Sequence, residues 1–235
     1  MLFLVLSILS CSTDENFIDS QTNTTIKTTN NDLERTVAFV AENKNNPFDY
    51  AGKTYNAILQ EYDNHNFPSS NLQDVVERVE SIANNLTDFI ALKNSNAYVH
   101  VKHETLANII GGNYLITYAF ADSGLSPNGQ DVLSNFIVNL KTQVEGQSKA
   151  TVHTFIMDFE DTLWQQTNLS TNDKKIILST TSILRYANAE SKNGNIDDWI
   201  RIKTRITATL SSIAQNTAEG VLNAAVIGAL QNNNN

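Results

Sequence analysis

Residues 70–89 read SNLQDVVERVESIANNLTDF, and this stretch carries the clearest helical period in the chain. Its apolar side chains recur at intervals of three and four residues, which places them along one face of an α-helix. Ser70 or Asn71 stands just before the first of them, where an N-cap residue belongs. The period predicts an amphipathic helix whose apolar face consists of Leu72, Val75, Val76, Val79, Ile82, Ala83, Leu86 and Phe89.

The same period continues on both sides of this stretch. Upstream, Asn46 and Pro47 have the order of a cap and a first-turn proline, and an apolar face follows as far as Tyr62. Downstream, Ser170-Thr171-Asn172-Asp173 resembles a capping box at the start of a further helix. A chain of 235 residues is the length of one ordinary domain.

We therefore predict an all-α fold, a single bundle of roughly seven to nine helices over residues 32–230. The Gln-Asn tail at 231–235 is predicted to be disordered.

Residues 97–123 fit this scheme less simply. Ala97, Val99 and Val101 alternate with polar or aromatic neighbours, which is the period of a strand. The segment Ile109–Phe120 is apolar nearly all round, as in a central buried helix, although Gly111-Gly112 interrupts it. Because every neighbouring segment is helical, helix is favoured over the whole region, and a strand at 97–104 stays the alternative.

The composition excludes several functional classes. The formal net charge is −9, so an electrostatic attraction to nucleic acid has little support and no nucleic-acid partner is expected. The chain contains a single cysteine, Cys11. One cysteine excludes an internal disulfide framework and a cysteine-based zinc site, and no cofactor is expected.

The context of Cys11 predicts where the protein resides. An apolar run, Leu2–Ser10, ends at Cys11, and a polar stretch follows it. The run is too short to span a bilayer but fits the apolar region of a secretion signal. Ile8-Leu9-Ser10-Cys11 resembles the lipobox of bacterial lipoproteins, in which the signal is cleaved before an acylated cysteine. No Lys or Arg precedes Cys11, which leaves open a start further upstream.

These features divide the amino-terminal region into a lipoprotein signal at 1–10 and a flexible tether at 11–31, rich in Thr and Asn. Lipid on Cys11 would make the outer membrane a partner of the protein. The acids Asp14 and Glu15 resemble the export tag of Bacteroidetes surface lipoproteins, which implies display at the cell surface.

Candidate chemistry is sparse. His100, His103 and Glu104 form the one tight cluster of metal-capable groups, and on a helix the two imidazoles would share a face. A zinc site needs a further ligand, so exposed or half-buried histidines are the expected outcome. Asp158, Glu160 and Asp161 lie on one predicted helix, and Asp158 and Asp161 share a face on which they could bind a cation or act as a glycosidase-like pair. Solvent-facing charge is the expected outcome for all three in a chain of this acidity.

The last apolar segment, Val221–Leu230, is too short to cross a membrane. Gly220, Ala224 and Gly228 recur at four-residue steps, which allows close contact between helices. We expect this segment to pack into the bundle, with a membrane-active or partner-docking helix as the alternative.

The stretch Asn46–Leu59, NPFDYAGKTYNAIL, resembles an early motif of uncharacterised Bacteroidetes helical proteins, many of them with secretion or lipoprotein signals. Their carboxyl-terminal part often holds a Trp followed by a helix rich in Gly and Ala, and Trp199 with Glu219–Ala229 is similar. The resemblance implies a helical envelope protein, and it implies no catalytic residue.

The sequence thus predicts a non-enzymatic lipoprotein anchored at the outer membrane, with a binding or structural role in the envelope and a protein or glycan as ligand. Two alternatives stay open. One is a metal-dependent hydrolase that uses His100 and His103. The other is a secreted effector whose last helix acts on membranes.

Overall fold

Ten α-helices form the regular secondary structure of residues 40–94, 97–190 and 199–233, the parts of the chain that the computed structural model describes. The all-α class is confirmed for these residues, which contain no strand. In chain order the helices are α1 (Tyr50–Asn64), α2 (Leu72–Asn85), α3 (Thr87–Lys93), α4 (His103–Ile110), α5 (Ile116–Asp122), α6 (Pro127–Gly146), α7 (Lys149–Gln165), α8 (Thr171–Glu190), α9 (Trp199–Ile213) and α10 (Thr217–Asn233).

The predicted count of seven to nine helices is too low because two predicted helices are each broken into two. The stripe at 72–89 divides at Leu86, whose backbone is extended between α2 and α3. The side chains of Asn84 and Asn85 bond the carbonyls of Glu80 and Ser81, so they compete for acceptors in the last turn of α2.

The predicted central helix at 109–120 is wrong. Gly112 has a φ of +75°, which ends α4 in the left-handed conformation that glycine tolerates. The amides of Asn113 and Tyr114 both donate to the Asn108 carbonyl and close this turn. The result is two short helices, α4 and α5, instead of one long one.

The central positions belong to α8 and α10. Every residue from Gly220 to Leu230 of α10 is buried, as is every residue from Ile176 to Ala187 of α8. The prediction that the last segment packs into the bundle is therefore confirmed, and α10 packs against α9, α1 and α2. Among the described residues, no helix combines the length and hydropathy needed to cross a membrane.

Two apolar clusters make up the core around these helices. The first joins α1, α2, α3 and α10, with Tyr55, Val79 and Phe89 among its fully buried members. The second joins α6, α7, α8 and α9 and includes a stack of Phe136 against Phe155 and Phe159. Residues of α8 belong to both clusters, so this helix connects them.

The capping box predicted at Ser170–Asp173 is present. The Ser170 hydroxyl accepts the Asp173 amide at 3.0 Å, and the Asp173 carboxylate accepts the Ser170 amide at 3.2 Å. The same carboxylate accepts the Ser126 amide at 2.8 Å, which ties the start of α8 to the start of α6.

Residues 97–102 are neither helix nor strand, so the favoured helix is wrong there. The segment is extended, and side chains of α2 take the place of a partner strand. Asn84 accepts the Val99 amide and donates to its carbonyl, both at 3.0 Å, while Glu80 accepts the Val101 amide at 2.6 Å. These bonds explain the alternating pattern, since Val99 and Val101 pack against the core while Tyr98 and His100 are exposed.

The predicted disordered tail is wrong for residues 231–233, which continue α10. Asn233 holds this end in place, because its side-chain amide donates to Tyr62 Oη at 2.9 Å and to the Ser69 carbonyl at 2.6 Å. A partly buried polar anchor of this kind cannot be recognised in a run of asparagines.

Close approach of α1 to α8 gives a test of the packing. A Cβ on Gly52 would lie 2.7 Å from the Ser182 carbonyl, which cannot move without breaking α8. We expect Gly52→Ala to lower the free energy of unfolding by about 1–3 kcal/mol, despite the higher helix propensity of alanine. Denaturant titration followed by circular dichroism measures the change. Gly146→Ala is the matched control, because a Cβ there meets nothing within 4 Å; equal stability of the two variants would contradict the packing described.

Candidate functional site

The predicted lipidation residue, Cys11, lies outside the described residues. The predicted signal at 1–10 and the tether at 11–31 lie outside them as well. These three predictions therefore stay predictions.

The candidate metal residues are not arranged on one helix face. Helix α4 begins at His103, so His100 lies in the extended segment before it. His100 Nδ1 lies 3.1 Å from Glu80 Oε2, and the imidazole contacts the Tyr98 ring. His103 and Glu104 are exposed in the first turn of α4. Within the described part of the chain, no three His, Cys, Asp or Glu side chains come together as metal ligands would.

The carboxylates of α7 do not all face solvent, so that expectation is wrong for Glu160. Asp158 is exposed and Asp161 is half-buried, but the side chain of Glu160 is fully buried. The reason is its place on the helix, since Glu160 shares the inward face of α7 with Ile156 and Leu163. A cation on α8 forms an ion pair with its carboxylate there.

That cation is Arg185, whose side chain has no exposed surface. Its Nε donates to Glu160 Oε2 at 3.1 Å, and its Nη2 donates to Asp49 Oδ1. Asp49 stands just before α1, so one guanidinium joins α1, α7 and α8. We call Asp49, Glu160 and Arg185 the buried triad.

The segment Asn43–Asp49 lies over the triad and is held by further polar contacts. Asn43 donates to Glu160 Oε2 at 2.8 Å and to Asp161 Oδ1 at 3.2 Å. Asn46 donates to the Leu178 carbonyl of α8 at 3.1 Å. Helix α1 begins at Tyr50, so the predicted cap at Asn46 is displaced: Asn46 instead forms a turn in which its side chain accepts the Phe48 amide.

Helix α8 supplies two more side chains to Asp49. The Ser182 hydroxyl donates to the Asp49 carbonyl at 3.1 Å and accepts the Gly52 amide at 3.1 Å. The Tyr186 hydroxyl donates to Asp49 Oδ2 at 3.2 Å. The start of α1 is therefore fixed on α8 by side-chain bonds as well as by close packing.

The electrostatics of this region follow from burial. Desolvation raises the pKa of Glu160, although the Arg185 guanidinium and the Asn43 amide oppose that shift. Desolvation also raises the pKa of Tyr186, with the Asp49 charge adding to the effect. The pKa of His153 is lowered by burial and by the charge of Arg185.

The buried triad has two features that bear on its chemistry. Glu160 Oε1 and Arg185 Nη1 have no hydrogen-bond partner among the described residues. The charged atoms are closed off from solvent, since Glu160 is 1% exposed and Arg185 is fully buried. Groups placed in this way hold three elements in register but do not face a substrate.

An aromatic patch adjoins the triad on the outside. Phe48 makes edge-on contacts with Tyr50, at 6.1 Å between ring centroids, and with Trp164, at 6.3 Å. Tyr50 and Trp164 are each about two-fifths exposed. Asp161 lies one turn before Trp164 on α7 and accepts the exposed amide of Asn45 at 3.3 Å. We call Asn45, Phe48, Tyr50, Asp161 and Trp164 the aromatic patch.

Sequence reasoning missed Arg185 and Asn43. The one available signal was Arg185 itself, a single charge inside the apolar run Ile183-Leu184-Arg185-Tyr186-Ala187. A charge in such a run is either exposed or paired in the core, and its partners are distant in the sequence.

No family model matches the chain, and no curated protein or solved structure matches it either.

Arg185→Met tests whether the triad holds the fold together. Removal of the guanidinium leaves Asp49 and Glu160 buried without a cation, and we expect a loss of about 3–5 kcal/mol in the free energy of unfolding. Lys141→Met is the control, because Lys141 and Glu145 form an exposed pair worth at most about 1 kcal/mol. Denaturant titration at neutral pH measures the free energy of unfolding of both variants. A loss for Arg185→Met no larger than that of the control would contradict the role given to the triad.

Proposed function

We propose that the protein is a non-enzymatic lipoprotein of the cell envelope, anchored at the outer membrane through lipid on Cys11 and displayed at the cell surface. The observation that carries this proposal is the junction at Cys11, where an apolar run of signal length meets a polar arm. Two or more acyl chains on one residue give stable anchoring, at about 0.8 kcal/mol per buried methylene.

The described bundle is compatible with this role. It has its own apolar core and contains no cysteine, because the only thiol of the chain is at Cys11. A domain of this kind can fold apart from the membrane to which a lipid would attach it. Lipidation would also leave it without a reactive thiol in an oxidising envelope.

The aromatic patch is the surface that best supports a binding role. Partly exposed aromatic rings beside an amide and a carboxylate offer both stacking and hydrogen bonds, the mixture with which proteins contact glycans and other proteins. The patch also includes Phe48 of the segment that the triad holds in place, so its rings lie on a part of the chain that side-chain hydrogen bonds fix to the bundle.

The two alternatives have less support. The hydrolase would need His100 and His103 together with a further ligand, but His100 pairs with Glu80 and His103 is exposed. The membrane-active effector would need an accessible last helix, and the burial of α10 from Gly220 to Leu230 weighs against it.

Cys11→Ser tests the anchor. In the bacterial host we expect the wild-type protein to partition into the detergent phase and to incorporate a labelled fatty acid, while the variant does neither. Thr13→Ser is the control, since it changes the arm and leaves Cys11 in place. Protease treatment of intact cells then tests surface display. An unlabelled wild-type protein that stays in the aqueous phase would refute the proposal.

A further inference from the structure

The two carboxylates of the buried triad are supplied with hydrogen-bond donors very unequally. Asp49 receives donors on both oxygens, from Arg185 and the Asn43 amide on Oδ1 and from Tyr186 on Oδ2. On Glu160, Oε2 accepts the two close hydrogen bonds, from Asn43 Nδ2 at 2.8 Å and from Arg185 Nε at 3.1 Å. Oε1 receives no donor within hydrogen-bonding distance among the described residues, although the side chains of Asn46 and Thr181 lie close enough to lower the pKa of Glu160.

The charges of the triad do not balance if both carboxylates are ionised. Two negative charges would then share one guanidinium, and one net charge would stay in a site closed to water. An ionised oxygen that is buried without a donor carries a large desolvation penalty, whereas a neutral carboxyl group carries a much smaller one. A proton on Oε1, the oxygen without a donor, removes the negative charge and so lowers that penalty.

We infer that Glu160 is protonated on Oε1 in the folded protein at neutral pH, and that the triad is a pH-responsive attachment for the segment Asn43–Asp49. Asp49 Oδ1 forms the ion-pair contact with Arg185 Nη2. Loss of the Glu160 proton places an uncompensated charge between α7 and the segment, which weakens the hold of Asn43 and Asp49 on the bundle.

The charged groups around Glu160 come from all three elements packed there. Glu42 lies just before the segment, the segment contributes Asp49 and the exposed Lys44, and α1 contributes Lys53. Helix α8 contributes Arg185 and Tyr186, and α7 itself contributes His153 and Asp161. Lys53 is half exposed and lies 3.9 Å from Asp49, so it adds little to the charge balance inside. Arg185 is the only fully buried cation among these groups.

The direction of the pH effect follows from linkage. A carboxyl group whose pKa is raised by folding binds more protons in the folded state than in the unfolded one. Its contribution to stability is complete below the unfolded glutamate value of 4.5 and is lost as the pH rises through the raised pKa. The opposite effect, from the lowered pKa of His153, is present in wild type and variants alike and cancels in their difference.

Glu160→Gln tests the inference, since an amide mimics the protonated carboxyl group. Free energies of unfolding are measured by denaturant titration from about pH 5 to about pH 9. As the pH rises, we expect the free energy of unfolding of wild type to fall relative to that of Glu160→Gln, with a slope that approaches one proton. At neutral pH, Glu160→Gln is expected to be at least as stable as wild type. Asp158→Asn, which removes an exposed carboxylate from the same helix, retains the wild-type slope. Asp49→Asn is strongly destabilised at every pH.

Trp164 reports the attachment itself, because it contacts Phe48 in the segment. The chain has two tryptophans, so Trp199→Phe leaves Trp164 as the only one. In this background we expect the Trp164 emission to shift as the pH rises, and the shift to be absent when Glu160→Gln is added. Equal slopes in wild type and Glu160→Gln, or a loss in Glu160→Gln as large as in Asp49→Asn, would overturn the inference.

Infrared spectroscopy measures the protonation of Glu160 directly in the wild-type protein. Wild-type protein labelled with ¹³C-glutamate should show a protonated carboxyl band at neutral pH that moves with the label. Glu80 is the other buried glutamate among the described residues, so the band is assigned to Glu160 by its absence from Glu160→Gln labelled in the same way. The absence of a label-sensitive acid band at neutral pH would show that Glu160 is ionised and the inference is wrong.

Discussion

A guanidinium without any contact to solvent is the constraint on which the arrangement of this bundle depends. Arg185 requires carboxylates within bonding distance, and it obtains them from Glu160, 25 residues away, and from Asp49, 136 residues away. A buried ion pair often adds little net stability over an apolar replacement, because desolvation offsets the attraction. The pair does destabilise every arrangement of the helices in which a buried charge lacks its partner, because that charge is then desolvated without compensation. The triad therefore fixes the register of α1 and α7 on α8.

Small residues make that register possible. Gly52 allows α1 to approach the Ser182 turn of α8, and Gly228 allows α10 to approach Tyr55 and Leu59 of α1. Gly220 contacts Ile213 and Thr209 of α9 instead. The two glycines of α10 therefore contact two different helices, α1 and α9, and do not form a single contact face. Two buried hydroxyls of α8 bond carbonyls of their own helix, Thr180 that of Ile176 at 2.8 Å and Thr181 that of Leu178 at 3.3 Å.

The all-α class, the buried last segment and the capping box at Ser170 could be predicted because each depends on local pattern. Periodicity cannot show where two asparagines end α2, or that an extended stretch such as 97–102 finds its partners in helix side chains. The triad as an arrangement could not be predicted. Arg185 stands out as a charge in an apolar run, but Asp49 and Glu160 look like surface charges in their own neighbourhoods, and only the tertiary fold shows that the three residues meet.

A group with a perturbed pKa marks either an active site or a structural ion pair, and exposure distinguishes the two. An active-site carboxylate must reach its substrate, whereas Glu160 is closed off by Asn43, Arg185 and the helices around them. The unusual electrostatics of this protein therefore serve its architecture. The outer side of the same arrangement carries the aromatic patch, where Tyr50 and Trp164 contact Phe48 of the segment that the buried charges hold in place. The binding surface that we propose there would depend on the interior charge balance without exposing any part of it.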